Sequence, residues 1–131
     1  MTIFYTDKVI EHFTNPQNAY IMPDADAYGS IGDPACGDSL TFYLRIKNNQ
    51  IEEISYLILG CCAAIATSSM TSVLAKGKTL EAALKITEDD VIKALDGLPE
   101  NKVHCSNLGV SALRLAIKNY YETQNEQQGG S

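Results

Sequence analysis

Two consecutive segments with strand-like patterns constrain the fold of this chain more than any other feature. Residues 39–47 alternate apolar and polar side chains, which is typical of a β-strand with one buried face. Residues 51–59 are rich in β-branched and aromatic residues, and the intervening Asn48-Asn49-Gln50 favours a turn. The sequence therefore predicts an antiparallel hairpin whose second strand ends at Gly60.

Helical patterns lie on both sides of this hairpin. A short first helix is predicted to end before Pro16, and a helix of small residues is predicted to follow the hairpin and end at Lys76-Gly77. The loop-rich residues 17–38 contain one short predicted strand, near residues 28–31. The residues predicted to start the five helices are Thr6, Cys61 or Cys62, Thr79, Thr87 and Ser106.

Length and composition fit one domain. The chain has 131 residues, of which 45% are hydrophobic, enough to bury a single core. We predict a domain over residues 1–123 and a polar, disordered tail over residues 124–131. The Gly-Gly-Ser at the end of this tail resembles a short linker left by cloning.

The negative net charge of the chain argues against some classes of binding partner. A net charge of -6 and a pI of about 4.7 argue against nucleic acid and anionic membranes, which favour clustered Lys and Arg. The first residues lack a signal-peptide pattern, and no apolar run approaches the thickness of a bilayer. The sequence therefore predicts a cytoplasmic protein whose cysteines stay reduced.

Cysteines stand at the ends of three predicted elements. Cys36-Gly37-Asp38 lies on a glycine-containing loop, Cys61-Cys62 at a junction of strand and helix, and His104-Cys105 at a junction of loop and helix. A helix start carries partial positive charge, so a thiol there is biased toward the reactive thiolate. Three thiolates with a carboxylate or an imidazole would make a four-ligand set suited to Zn(II) or to the iron of a small cluster.

Each of these residues also has a purely structural interpretation. A free cysteine often packs as a small hydrophobe, and we interpret Cys61-Cys62 as one ligand, Cys61, and one packing residue. Asp38 could form a turn hydrogen bond, and His104 could bond to a nearby carbonyl. His12, on a charged helix, is predicted to be a solvated surface residue.

A family resemblance runs through nearly the whole chain. The segments that carry it are Tyr5 to Asn18 with Lys8-Val9-Ile10-Glu11-His12-Phe13 and Asn15-Pro16-Gln17-Asn18, then Gly32-Asp33-Pro34-Ala35-Cys36-Gly37-Asp38, Gly60-Cys61, Ala64-Ile65-Ala66, Ser68-Ser69, Lys76-Gly77-Lys78 and Lys102-Val103-His104-Cys105-Ser106. In this order and at these separations, they resemble the IscU-type scaffold that is also found as the N-terminal domain of NifU. The resemblance implies an α+β fold with a small antiparallel sheet of about three strands packed against helices, in agreement with the predicted elements.

The same resemblance implies a function. It implies a scaffold, not an enzyme, on which an iron-sulfur cluster of the [2Fe-2S] type is assembled from iron and sulfur and then transferred to apo acceptor proteins. The implied partners are a cysteine desulfurase, an electron donor such as a ferredoxin and the acceptor proteins; whether copies of the chain also form a homo-oligomer is left open by the sequence.

Site roles follow from the resemblance residue by residue. Cys36, Cys61 and Cys105 match the cluster-binding cysteines, and Asp38 matches the aspartate that completes or destabilises the site. His104 matches an alternative or neighbouring ligand, and zinc could occupy the same site. Cys105 is the implied acceptor of persulfide sulfur from the desulfurase.

Two departures from the family pattern bear on these roles. Cys62 stands where many relatives have glycine, which makes it an auxiliary ligand, a sulfur relay or an oxidation liability. Bacterial relatives carry a Leu-Pro-Pro-Val-Lys segment that a dedicated Hsp70-type chaperone binds, whereas residues 98–102 here read Leu-Pro-Glu-Asn-Lys, which argues against that docking. Lys102 matches the family's lysine near the site, although a solvated cation explains it equally well.

Two other functions compete with the scaffold. A zinc-bound sulfur carrier of the SufU type would have an insertion between its second and third cysteines, which the compact spacing from Cys61 to Cys105 argues against. A structural zinc module would instead hold a closed site whose metal cannot exchange without unfolding.

Overall fold

The computed structural model describes residues 5–33, 38–60, 62–98 and 105–129, without the side chains at positions 33, 62, 105 and 124–129. Within these ranges the elements are α1 (Asp7–Thr14), β1 (Ala27–Asp33), β2 (Asp38–Lys47), β3 (Gln50–Leu59), α2 (Cys62–Ala75), α3 (Leu80–Leu84), α4 (Glu88–Ala94) and α5 (Cys105–Gly129). The strands form one antiparallel sheet in the order β1-β2-β3. The predicted α+β class is confirmed.

The β2–β3 hairpin forms as its pattern predicts. Asn48 and Asn49 form the turn with φ of 53° and 63°, a left-handed conformation that asparagine tolerates better than most residues. The apolar side of β2 is buried, and Phe42 packs edge-on against its register partner Tyr56 with ring centroids 5.7 Å apart. Burial raises the pKa of Tyr56 to about 12, so the phenol stays neutral in the core.

Strand β1 is longer than the predicted segment near residues 28–31. It extends from Ala27 to Asp33 and pairs with β2 along its whole length. Two glycines within it, Gly29 and Gly32, weaken the sequence signal because glycine has low strand propensity. Tertiary pairing therefore determines the length of this strand.

Three of the predicted helix starts are confirmed by their caps. The Thr6 hydroxyl accepts a hydrogen bond from the Val9 amide at 3.2 Å, and Thr79 accepts one from the amide of Ala82 at 3.1 Å. Thr87 and Asp90 form a reciprocal capping box with bonds of 3.0 and 3.2 Å. Local hydrogen bonding alone explains these boundaries.

Helix α5 differs from its prediction at both ends. It begins at Cys105, so Ser106 lies inside the first turn and is not the cap. It also continues to Gly129, in contrast to the disordered tail predicted from residue 124. Residues 124–128 are Gln, Asn, Glu, Gln and Gln, most of which have good helix propensity, so a helix already packed on the sheet can extend through them.

Helices α2 and α5 cover one face of the sheet. Helix α5 packs on β1 and β2, α2 packs on β3, and the two helices pack on each other. The contacts are close because small residues meet: a Cβ on Gly29 would lie 2.5 Å from the Ala116 amide nitrogen, and one on Gly109 would lie 2.9 Å from the Thr71 hydroxyl. The buried core lies between this face of the sheet and the helices.

Within the described ranges, no helix combines the length and the apolar character needed to cross a bilayer.

Candidate metal and cluster site

The predicted ligands are described to different extents. Cys36, Cys61, His104 and the auxiliary Lys102 lie outside the described residues. Cys62 and Cys105 are the first residues of α2 and α5, described for their backbone only. Asp38, the first residue of β2, is the predicted ligand whose side chain is described.

Two of the chain segments that flank these ligands meet at one edge of the sheet. Asp33, the last residue of β1, pairs with Asp38, the first residue of β2. Ser39 in turn pairs with Leu59, the last residue of β3, so Gly60 lies beside Asp38. In the sequence Cys36 falls between the paired aspartates, and Cys61 follows Gly60 directly.

The direction of α5 brings its first turn toward the same edge. The Asn119 side-chain amide donates to the Tyr28 carbonyl oxygen at 2.8 Å, whereas Ala112 and Ala116 lie against Gly29, further along β1. Helix α5 therefore runs antiparallel to β1, with its N-terminus toward the C-terminal end of the strand. The helix start, at Cys105, lies in the direction of the edge that contains Asp38.

The carboxylate of Asp38 lies beside Gly60, two residues before the start of α2. A Cβ built on Gly60 would be 3.0 Å from the Asp38 Cγ, 3.2 Å from its Oδ1 and 3.0 Å from the Ala64 Cβ. Asp38 is half-buried, and its carboxylate makes no hydrogen bond or ion pair with another residue in the described ranges. Its oxygens are therefore available to bind a cation.

The start of α2 favours anionic groups. Helix α2 has no acidic residue in its first turn, so the partial positive charge of its N-terminus is not offset from within the helix. A carboxylate from β2 and thiolates from adjacent segments would each be stabilised there. Such a mixed oxygen and sulfur donor set suits zinc or iron.

Among the described side chains, no three His, Cys, Asp or Glu residues lie together in a way that could hold a metal ion. Cys36, Cys61 and His104 are not among those side chains.

His12 differs from its prediction as a solvated surface residue. It is half-buried, and its Nδ1 lies 2.7 Å from the Ser69 hydroxyl of α2. The same hydroxyl accepts the Gln17 amide at 2.9 Å, and the Asn18 side chain donates to Ser72 at 3.0 Å. The sequence did not indicate this contact, because His12 and Ser69 lie 57 residues apart in the chain.

Comparison with known proteins identifies the class to which this fold and site belong. Residues 4–127 match the model of the NifU-like N terminal domain family, and the chain belongs to that family.

Among the relatives of this chain are proteins named as IscU scaffolds. The iron-sulfur cluster assembly scaffold protein IscU 1 of Archaeoglobus fulgidus is 56% identical over 117 residues, which cover 89% of this chain and 76% of the relative. The scaffold protein IscU of Aquifex aeolicus is 41% identical over 133 residues, covering 100% of this chain and 85% of the relative. The predicted IscU-type and NifU-type resemblance is confirmed.

A solved structure supports the fold. The scaffold protein assigned to the SUF system of Fervidobacterium islandicum AW-1 superposes with a TM-score of 0.72, at 19% identity, over 86% of this chain and 96% of that one. At this identity the likeness concerns the fold alone.

Proposed function

We propose that this chain is a scaffold on which an iron-sulfur cluster is assembled and from which it passes to apo acceptor proteins. The observation that carries the proposal is the Asp38 carboxylate, half-buried and unpaired among the described residues, lying beside Gly60 at the start of α2. The named IscU relatives support the same conclusion.

The ligand set of the proposed site combines sulfur with one harder atom. Cys36, Cys61 and Cys105 would supply thiolates, and Asp38 an oxygen, with His104 as the alternative fourth ligand. A carboxylate is a harder ligand than a thiolate and binds iron in a sulfur-rich site less strongly. We therefore infer a site that holds its cluster firmly enough for assembly and loosely enough for release.

The sulfur enters, in this proposal, through Cys105. Its thiolate attacks the outer sulfur of a persulfide on a cysteine desulfurase; a new S–S bond forms at Cys105, and the desulfurase thiolate leaves as the old S–S bond breaks. Two electrons from a donor such as a ferredoxin then cleave the Cys105 persulfide, releasing sulfide and restoring the thiolate. The chain is a carrier here, and the partner enzymes turn over.

The proposal also covers the compartment, the type of cluster and the chaperone. We place the assembly in the cytoplasm, where thiols remain reduced, and expect a [2Fe-2S] cluster with zinc as a competing occupant. The sequence at residues 98–102 argues against docking of the dedicated Hsp70-type chaperone.

One experiment separates the scaffold from its alternatives. The protein is incubated anaerobically with ferrous iron, a cysteine desulfurase and cysteine, and its metal and acid-labile sulfide are then measured. Iron with sulfide in the protein supports the scaffold. Zinc with a persulfide would instead indicate a sulfur carrier, and zinc that does not exchange would indicate a structural module.

The aspartate has a specific expected effect on release. Replacing Asp38 with Ala removes the oxygen ligand and leaves the thiolates, which iron in a sulfur-rich site binds more strongly, so we expect cluster transfer to an apo ferredoxin to slow by about tenfold. Transfer is followed by the loss of visible absorbance from the loaded variant. Transfer as fast as from the parent protein would contradict the role given to Asp38.

A further inference from the structure

Gly60 has two close neighbours, at least one of which would have to shift to admit a side chain. A Cβ there would be 3.0 Å from the Asp38 Cγ on one side and 3.0 Å from the Ala64 Cβ on the other. Real Cβ atoms rarely approach other atoms this closely, so the two neighbours already occupy the space that an alanine would need.

Backbone conformation does not explain the glycine. Gly77 and Gly97 have φ of 83° and 109°, where side chains are strained, whereas Gly60 is not among the residues with positive φ. An alanine could therefore adopt the backbone angles of Gly60. The requirement for glycine comes from the space beside it.

The two neighbours differ in how easily they can move. Ala64 is fully buried in the first turns of α2 and packs with Ile58 and Leu98, so its methyl group is fixed by the helix. Asp38 is half-buried at the start of β2, and a rotation about its χ1 moves the carboxylate away. A methyl group at position 60 would therefore displace the carboxylate and leave α2 in place.

We infer that Gly60 is a positioning residue for the cluster: its missing side chain is what lets the Asp38 carboxylate lie against the backbone of Gly60, two residues before α2. The inference rests on the proposed function, in which Asp38 contacts the cluster. It assigns to the glycine a role in the rate of cluster release, acting through Asp38.

Gly32 provides a matched control at the same edge of the sheet. A Cβ on Gly32 would have the Asp38 carbonyl oxygen as its nearest neighbour, at 3.8 Å, an ordinary contact. Gly32→Ala therefore adds the same methyl group near Asp38 without touching its carboxylate.

The first measurement uses the apo protein. We expect Gly60→Ala to shift the side-chain carboxyl ¹³C resonance of Asp38, and Gly32→Ala to leave it close to that of the parent. An unchanged Asp38 resonance in Gly60→Ala would overturn the inference. This readout involves no cluster, so it decides the positioning role even if the parent protein assembles none, a result that would refute the proposed function separately.

The second measurement uses the loaded protein and a double-mutant cycle. Gly60→Ala should slow cluster transfer about as much as Asp38→Ala does, because both changes take the carboxylate away from the cluster. Added to Asp38→Ala it should cause no further slowing, because the displaced group is already absent. Equal slowing in both backgrounds would mean that Gly60 acts independently of Asp38, and would overturn the inference.

A second variant keeps the inference testable if Gly60→Ala does not fold. If Gly60→Ala fails to fold, Gly60→Ala with Ala64→Gly removes one of the two close contacts and retains the other, with Asp38. The same resonance shift and the same non-additivity are expected from it, and their absence would count against the inference equally.

Discussion

At the scale of single residues, His12 links the pH of the solution to the stability of the fold. Burial disfavours the charged imidazolium and lowers the pKa of His12 below 6.5; Glu11 opposes this shift and Lys8 adds to it. The folded protein therefore binds a proton at His12 less readily than the unfolded chain does. Stability from this residue is present above about pH 6.5 and is lost as the pH falls through the pKa of the folded state.

The predicted consequence is a pH-dependent unfolding free energy that His12→Gln reduces. We expect the apo protein to lose stability as the pH falls from about 7 to 5, and the variant to lose less over that range. Urea unfolding at a series of pH values measures both. His104→Gln, a change at the other histidine of the chain, is the control; the same slope in parent and His12→Gln would disprove the explanation.

Cys62 raises a second question at this scale. It starts α2 directly after the predicted ligand Cys61. If Cys62 serves as a ligand or a sulfur relay, Cys62→Gly should alter the visible spectrum of the cluster or slow its assembly. An unchanged spectrum and assembly rate would leave Cys62 without a role in the chemistry.

At the scale of elements, the crossing of α5 over β1 depends on one glycine. A Cβ on Gly29 would lie 2.5 Å from the Ala116 nitrogen and 3.0 Å from the Ala112 carbonyl oxygen, both of them backbone atoms of the helix. Neither atom can turn away as a side chain can. Helix and strand would have to separate, which costs packing over their whole contact.

We therefore expect Gly29→Ala to lower the free energy of unfolding by about 1–3 kcal/mol. Gly32→Ala, on the same strand, makes no contact closer than 3.8 Å and should change it by less than about 1 kcal/mol. Urea unfolding of the two variants beside the parent gives both values. Equal stability of the two variants would show that the close approach at Gly29 can relax.

Elements differ in how far the sequence predicts them. The hairpin and the caps at Thr6, Thr79 and Thr87 depend on residues close together in the chain, and all were predictable. The full length of β1 and the extension of α5 to Gly129 depend on packing between distant segments, and the sequence pattern missed both.

At the scale of the whole molecule, the proposed ligands come from three separate parts of the chain. A metal ion held by Cys36, Cys61 and Cys105 would join segments that separate on unfolding, so it should stabilise the folded state. We expect Zn²⁺ at about 100 times its Kd to add about 2.7 kcal/mol to the free energy of unfolding of the apo protein. Calorimetry with and without Zn²⁺ measures this, with the Cys36→Ser variant as control; stabilisation of equal size in parent and variant would place the ion elsewhere.

Local sequence is enough to predict contacts within one element or one turn, and the types of residue available for chemistry. The alternation in β2, the Asn48-Asn49 turn and the three cysteine-containing segments are of this kind. Family resemblance then assigned those segments a shared function.

Which distant groups touch depends on the folded structure. Folding places the Asp38 carboxylate beside Gly60, and His12 against Ser69. Such contacts depend on strand register and on how closely a helix approaches a sheet, and both result from packing across the whole chain. No local pattern encodes these contacts. The positioning role inferred for Gly60, which has no side chain, could therefore be recognised only from the folded structure.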